Sequence, residues 1–168
     1  MLEIINNLRP FFEDCYRRIS VREYSRLVKI SPPTASKKLS EFGKEEILLA
    51  EKDRNYIFYY ANKENKVFIE FSRIYWQIKL KNLVDFLSKS TASQGIILFG
   101  SLSKAEAKSD SDVDICILGH KKEINLKPFE ENLKRKIQLF FFSSIESVPK
   151  ELANNIINGL VIEGRMKL

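Results

Sequence analysis

Two periods of apolar residues run along this chain, and the places where one gives way to the other predict its elements. Ser20-Val21-Arg22-Glu23-Tyr24-Ser25-Arg26-Leu27-Val28 carries a serine followed three residues later by glutamate, which predicts a short capped helix. After Lys29-Ile30, Ser31 caps a second helix with Pro32-Pro33 in its first turn, where a missing N–H costs nothing. This helix runs through Thr34 to Phe42 with Ala35, Leu39 and Phe42 on its apolar stripe. Ile47 to Lys52 and Tyr56 to Tyr60 flank Asp53-Arg54-Asn55 and predict a hairpin with a basic tip. From Val67 to Leu87 there is no Gly or Pro, and apolar residues recur at Ile74, Ile78, Val84 and Leu87 among others, predicting one long helix or two nearly continuous ones. Ser88 to Gly95 reads as a polar loop. Ile96-Ile97-Leu98-Phe99, ended by Gly100, and Val113 to Leu118, ended by Gly119, are β-branched and aromatic runs that predict strands, and Lys136 to Phe142 predicts a later one.

The chemistry lies between the first two of these strands. Gly100-Ser101 is followed, after ten residues, by Asp112-Val113-Asp114. Residues two apart on a strand point the same way, so Asp112 and Asp114 aim their carboxylates into one small volume. Carboxylates that close raise each other's pKa unless a cation lies between them, and Mg²⁺ takes a couple of carboxylates together with phosphates and water. Gly100 lets the backbone approach phosphate, and Ser101 adds a hydroxyl at the expected start of the next helix, where free N–H groups favour an anion. Asp110, Asp112 and Asp114 also alternate like the first ligands of a calcium loop. That reading fails, because Ile115 stands where the glycine belongs and Lys121 where the bidentate glutamate belongs. Asp110 is a solvated loop residue, and Cys116, between Ile115 and Ile117, is a small buried apolar one.

The run Gly100-Ser101-Leu102-Ser103-Lys104-Ala105-Glu106-Ala107-Lys108-Ser109-Asp110-Ser111-Asp112-Val113-Asp114 resembles the signature of the minimal nucleotidyltransferases of the DNA polymerase beta superfamily. The resemblance covers roughly residues 80 to 168, including Leu98-Phe99 and the tail from Arg135 through Gly164. It implies that Gly100 and Ser101, with Lys104, bind a nucleoside triphosphate. It also implies that Asp112 and Asp114 are catalytic and hold Mg²⁺ in a two-metal arrangement. A third carboxylate on a later strand completes the family's site, and at that position this chain has Gln138. An amide oxygen coordinates weakly, carries no charge and takes no proton from an attacking hydroxyl. Glu130 and Glu131, on the helix before Leu133, would have to reach back across the strand start to replace it.

The two short helices and hairpin of the first third resemble the winged helix-turn-helix domains of archaeal and bacterial transcription regulators, across roughly residues 1 to 62. The resemblance makes Thr34, Ser36, Lys37 and Lys38 the DNA-reading face and puts Arg54 at the wing tip. Winged helices also serve as docking or dimerisation modules, and that reading stays open. The expected fold is thus α+β: an N-terminal winged helix-turn-helix (1–62), a helical connector (63–90) and a nucleotidyltransferase-type mixed sheet with flanking helices (91–168). The cluster Phe68, Phe71, Tyr75 and Trp76 is more apolar than a linker needs and is expected to pack between domains or across a homodimer.

Composition changes this picture little. The 168 residues are 44% hydrophobic and 30% charged, which fits one or two small globular domains. The formal charge of +6 divides as +2, +3 and +1 over residues 1–60, 61–90 and 91–168, a diffuse excess that favours a polyanionic partner only mildly. Two distant cysteines give neither a disulfide framework nor a zinc cluster, and His120 stands alone in a polar turn. Met1 to Asn6 lacks the basic start and long apolar core of a signal peptide, and no run is long enough to span a membrane, so a cytoplasmic location is expected. The functional expectation is a DNA-binding transcription regulator whose second domain binds a nucleoside triphosphate with Mg²⁺ and transfers a nucleotidyl group. The alternatives are an antitoxin-like enzyme that adenylylates a toxin-like partner protein, and a catalytically inactive nucleotide sensor or structural domain.

Overall fold

A computed structural model describes residues 3–91 and 93–164. The chain divides into two compact units, one running to Tyr75 and including Ala105–Ser109, the other made of Trp76–Lys104 and the residues from Asp110 onward.

The first unit contains α1 (Glu3–Glu13), β1 (Ile19–Ser20), α2 (Val21–Val28), α3 (Pro32–Lys44), β2 (Leu48–Asp53) and β3 (Tyr56–Ala61). The three strands form an antiparallel sheet in the order β1-β3-β2. Local chemistry accounts for the helix starts. The Ser20 hydroxyl accepts from the Glu23 N–H, the Ser31 hydroxyl from the Thr34 N–H, and Pro32 and Pro33 open α3. Lys29, left-handed at φ 59°, closes α2. Ile5, Leu8, Phe11 and Phe12 of α1 are fully buried and share a core with Tyr24 and Leu39. Phe11 meets Tyr24 at 6.0 Å between ring centres, and the Tyr24 hydroxyl donates to the Asn7 carbonyl at 3.0 Å.

A long helix, α4 (Lys66–Thr91), contributes residues to both units. It takes in Ser88 to Thr91, the first half of the segment expected to be a polar loop. Leu87 and Thr91 are buried, and the Thr91 hydroxyl donates to the Leu87 carbonyl one turn back, so apolar burial outweighs the polar composition of residues 88–91. The expected stripe is also corrected: Ile74 and Ile78 are 38% and 42% exposed, because Phe68, Tyr75, Trp76, Leu80, Leu83, Val84 and Leu87 take the inward positions. Phe68 and Tyr75 pack on Phe12 at 5.2 and 5.5 Å between ring centres. Phe68, Tyr75 and Trp76 are spent on the chain's own core, and they are not a surface on which two copies pair.

The second unit carries β4 (Gly95–Phe99), β5 (Val113–Leu118), α5 (Lys127–Leu133), β6 (Ile137–Phe142), a short 3₁₀ turn (Ile145–Ser147), α6 (Lys150–Ile157) and β7 (Leu160–Gly164). Its sheet runs β6-β5-β4-β7, with β5 and β6 parallel and the other pairs antiparallel. Every residue of β4 is buried, as a central strand covered on both faces requires. On one face Ile97, Phe99, Cys116 and Leu118 join Val148 and Ile156 in a single core. The fold is mixed α and β, as expected. Among the described residues no helix is long and apolar enough to cross a membrane.

Burial pushes the Cys15 thiol up to about 12 and the Cys116 thiol up to about 11. Only the thiolate attacks disulfide reagents, and at pH 8 it makes up about one part in a thousand or less of each side chain. The folded chain is therefore expected to consume essentially no Ellman reagent at pH 8, and two equivalents once guanidinium exposes both cysteines.

Candidate active site

The strand β4 ends at Phe99, which pairs with Asp114 of β5, so Asp114 emerges beside Gly100. Gly100 is left-handed at φ 72°, and a Cβ added there would overlap the Asp114 Oδ2. Glycine is demanded twice, by the backbone turn and by the carboxylate that occupies the space a side chain would need. Residues 100–105 form successive turns, and no helix starts at Ser101, contrary to expectation. The Ser103 hydroxyl donates to the Gly100 carbonyl at 2.9 Å, a local bond that competes with a helical ladder, and Ala105 is left-handed at φ 56°. The turn offers individual N–H groups and the half-buried Ser101, without a helix terminus behind them. Lys104 is exposed, and its ammonium donates to Asn155 Oδ1 of α6 at 2.8 Å.

Asp112 lies just before β5, and both it and Asp114 are half-buried, whereas Asp110 is exposed. The parallel register sets Gln138 opposite Asp114, and the Gln138 amide donates to Asp112 Oδ2 at 2.6 Å. The residue at the third position thus clasps the first aspartate directly. Burial, with the neighbouring Asp112 charge second, holds the Asp114 carboxyl above its usual range. Asp112 is steadied from behind as well: the buried Arg135 guanidinium donates to the Ser111 carbonyl at 2.6 Å and lies over the Trp76 ring at 5.2 Å. Nothing in composition marks this arginine, which follows the left-handed turn at Lys134 on the way into β6.

Glu130 and Glu131 sit on α5. The Glu130 carboxylate accepts the Ile137 N–H at 3.0 Å and lies 3.8 Å from the Lys136 ammonium, so it is committed to the turn into β6. Among the described residues no group of three acidic, cysteine or histidine side chains gathers around a point where a metal could bind. What does converge is two carboxylates and one amide. Asp112 and Asp114, the latter in the space left by Gly100, are the hard oxygen donors that a single Mg²⁺ shared with phosphates requires, so the residues fit one such ion.

On the first unit, Thr34, Ser36 and Lys37 are exposed along α3, and the Thr34 hydroxyl is bonded to that of Ser31. Lys38 forms an ion pair with Glu3 at 2.7 Å. Arg54 is exposed at the turn joining β2 and β3, left-handed at φ 53°.

A family model for polymerase beta nucleotidyltransferases matches residues 81–167, a span that holds Gly100, Ser101, Asp112, Asp114 and Gln138. Neither a curated protein nor a solved structure matches the chain. The match takes in half of the chain and all of its paired-carboxylate geometry, and on that ground the chain belongs to the polymerase beta nucleotidyltransferase family.

Proposed function

We propose that this protein binds duplex DNA through its first unit and, through its second, a nucleoside triphosphate with one divalent cation, with slow nucleotidyl transfer. The observation that carries the second half is the arrangement of Gly100, Asp114, Asp112 and Gln138, in which a glycine makes room for one aspartate while an amide replaces the third carboxylate. In this reading Gly100 and Ser101 receive the phosphates, and Lys104 leaves Asn155 to reach them. Asp112 and Asp114 hold the cation. When bound, Mg²⁺ would neutralise the triphosphate and the departing pyrophosphate. Gln138 keeps Asp112 aimed, but it takes no proton from an acceptor hydroxyl.

The first half rests on the order α1, β1, α2, α3, β2, β3 and the antiparallel order β1-β3-β2, which resemble the layout of a winged helix-turn-helix. Here α3 would enter the major groove with Thr34, Ser36 and Lys37, and the β2–β3 hairpin would bring Arg54 to the backbone or minor groove.

Calorimetry with and without EDTA tests the nucleotide site. Wild-type chain is expected to bind a triphosphate only with Mg²⁺, and Asp112→Asn combined with Asp114→Asn is expected to remove that dependence. Equal, negligible heats for the wild type in both conditions would overturn the reading. The same variant carries a second expectation. Because the Asp114 carboxyl is raised in the fold, the folded chain holds its proton more tightly than the unfolded chain does. Its stability is therefore diminished at pH 7 and recovered as pH falls into the carboxylate range. Replacing both charges by amides should accordingly raise the metal-free melting temperature at pH 7 and leave it unchanged near pH 3.

A further inference from the structure

We propose that Arg135 is the positioning residue of the cation site: it sets the direction in which Asp112 presents its carboxylate, and through that how tightly Mg²⁺ and a triphosphate are held. The inference rests on the paired-carboxylate reading above and adds to it a residue that touches neither cation nor nucleotide.

The direction in which a side chain leaves the backbone is fixed by the peptide planes on either side of it, since only the two dihedrals between those planes are soft. Asp112 stands just before β5, where the ladder has not begun, because β5 and β6 first pair at Val113 and Ile137. Both of its planes are nevertheless held. The plane before it carries the Ser111 carbonyl, which accepts from the Arg135 guanidinium at 2.6 Å. The plane after it carries the Val113 N–H, which donates to the Lys136 carbonyl at 2.8 Å. The carboxylate itself accepts from the Gln138 amide at 2.6 Å. Residues 111, 113 and 112 are thus clasped by residues 135, 136 and 138 in turn. The bond from Lys136 is made by the main chain and asks for no particular side chain, whereas the hold on Ser111 exists only because residue 135 is a donor long enough to reach it.

Arginine suits this task. The left-handed turn at Lys134, whose N–H closes on the Glu130 carbonyl, reverses the chain after α5, and Arg135 follows it inward, 8% exposed. Its guanidinium lies over the Trp76 ring at 5.2 Å while it donates to Ser111. A planar fork stacks on an aromatic face and donates in its own plane at the same time, which a flexible ammonium does not. The fully buried indole holds the guanidinium, the guanidinium holds the Ser111 carbonyl, and the carbonyl fixes the plane from which Asp112 departs. Burying a cation is costly, and a neutral donor would satisfy one carbonyl. What the stacked guanidinium adds is a fixed position.

The test is calorimetry of the full chain with Mg²⁺–ATP and with Mg²⁺–tripolyphosphate, which carries no base, each repeated in EDTA. Arg135→Met keeps a long side chain and loses its donors. It is expected to weaken the Mg²⁺-dependent binding at least about tenfold, the lower end of what groups behind a metal ligand contribute, and Arg135→Lys is expected to recover part of that loss. A double-mutant cycle separates positioning from general support of the fold. If Arg135 acts through Asp112, Arg135→Met combined with Asp112→Asn binds no more weakly than Asp112→Asn alone, whereas a residue that only supports the fold adds its own loss. If Arg135→Met does not fold, as judged by its circular dichroism, Arg135→Gln enters the same cycle. The proposal is overturned if the folded Arg135 variant binds both probes as the wild type does, or if its loss and that of Asp112→Asn add in full. A wild type that binds neither probe overturns the cation-site reading itself and the role of Arg135 with it.

Discussion

Gln138→Asp is expected to raise nucleotidyl transfer over the natural chain by about a hundredfold, the lower range of what a positioned acid–base group contributes. In the natural chain the amide at this position neutralises no part of a cation's charge and cannot accept the proton of an attacking hydroxyl. Both deficits fall on the transition state, where the acceptor oxygen gains charge, and neither falls on the bound triphosphate. The substitution should therefore change the transfer rate far more than the triphosphate affinity. The check is a labelled-nucleotide assay of both proteins side by side, with the chain itself, protein and nucleic acid as acceptors. A second readout needs no acceptor. The bond of 2.6 Å from the Gln138 amide to Asp112 becomes a contact between two carboxylates in the variant, beside an Asp114 whose carboxyl already sits above its usual range. The metal-free variant should melt below the wild type, and Mg²⁺ should restore it more than it stabilises the wild type. Robust turnover by the wild type would show that the missing carboxylate is supplied elsewhere, and it would sink the account of Gln138.

What could be read from sequence here was what depends on neighbours along the chain. The serine caps at Ser20 and Ser31 and the hairpin around Arg54 each follow from spacings of two or three residues, and each is found. Gly100 was legible as a glycine that phosphate would favour. That Asp114 itself fills the space beside it depends on β4 and β5 pairing Phe99 with Asp114, a contact between separate strands. The same holds for Gln138, whose substitution was visible but whose bond to Asp112 bridges 26 positions. In place of the expected helix after Ser101 the chain turns, with the Ser103 hydroxyl on the Gly100 carbonyl and Ala105 left-handed. The aromatic cluster of α4 is expected to pack between domains or across a homodimer, and two of its members, Phe68 and Tyr75, meet Phe12, 56 and 63 positions away, a contact that no spacing along the chain announces.

Lys37→Glu is expected to weaken duplex DNA binding by more than about tenfold at low salt and to reduce the log-log salt slope by about one unit, the signature of a lost phosphate contact. Lys37 is the residue to change because it is exposed on α3. Lys38, its neighbour, spends its ammonium on Glu3, which draws the Glu3 carboxyl below its usual range. Lys38→Glu would set two carboxylates against each other, and its loss of binding could not be told from a disturbed α1. Lys38→Met removes the charge without the repulsion, and it should reduce duplex affinity far less than Lys37→Glu does. Arg54→Glu, at the hairpin tip, should add a second unit to the slope change when combined with Lys37→Glu, as independent phosphate contacts do. Electrophoretic or anisotropy titrations over a salt series decide between this reading and a docking module. A Lys37→Glu chain that binds duplex DNA like the wild type would mean that α3 does not face the phosphates, and the first unit would then be sought as a surface for protein.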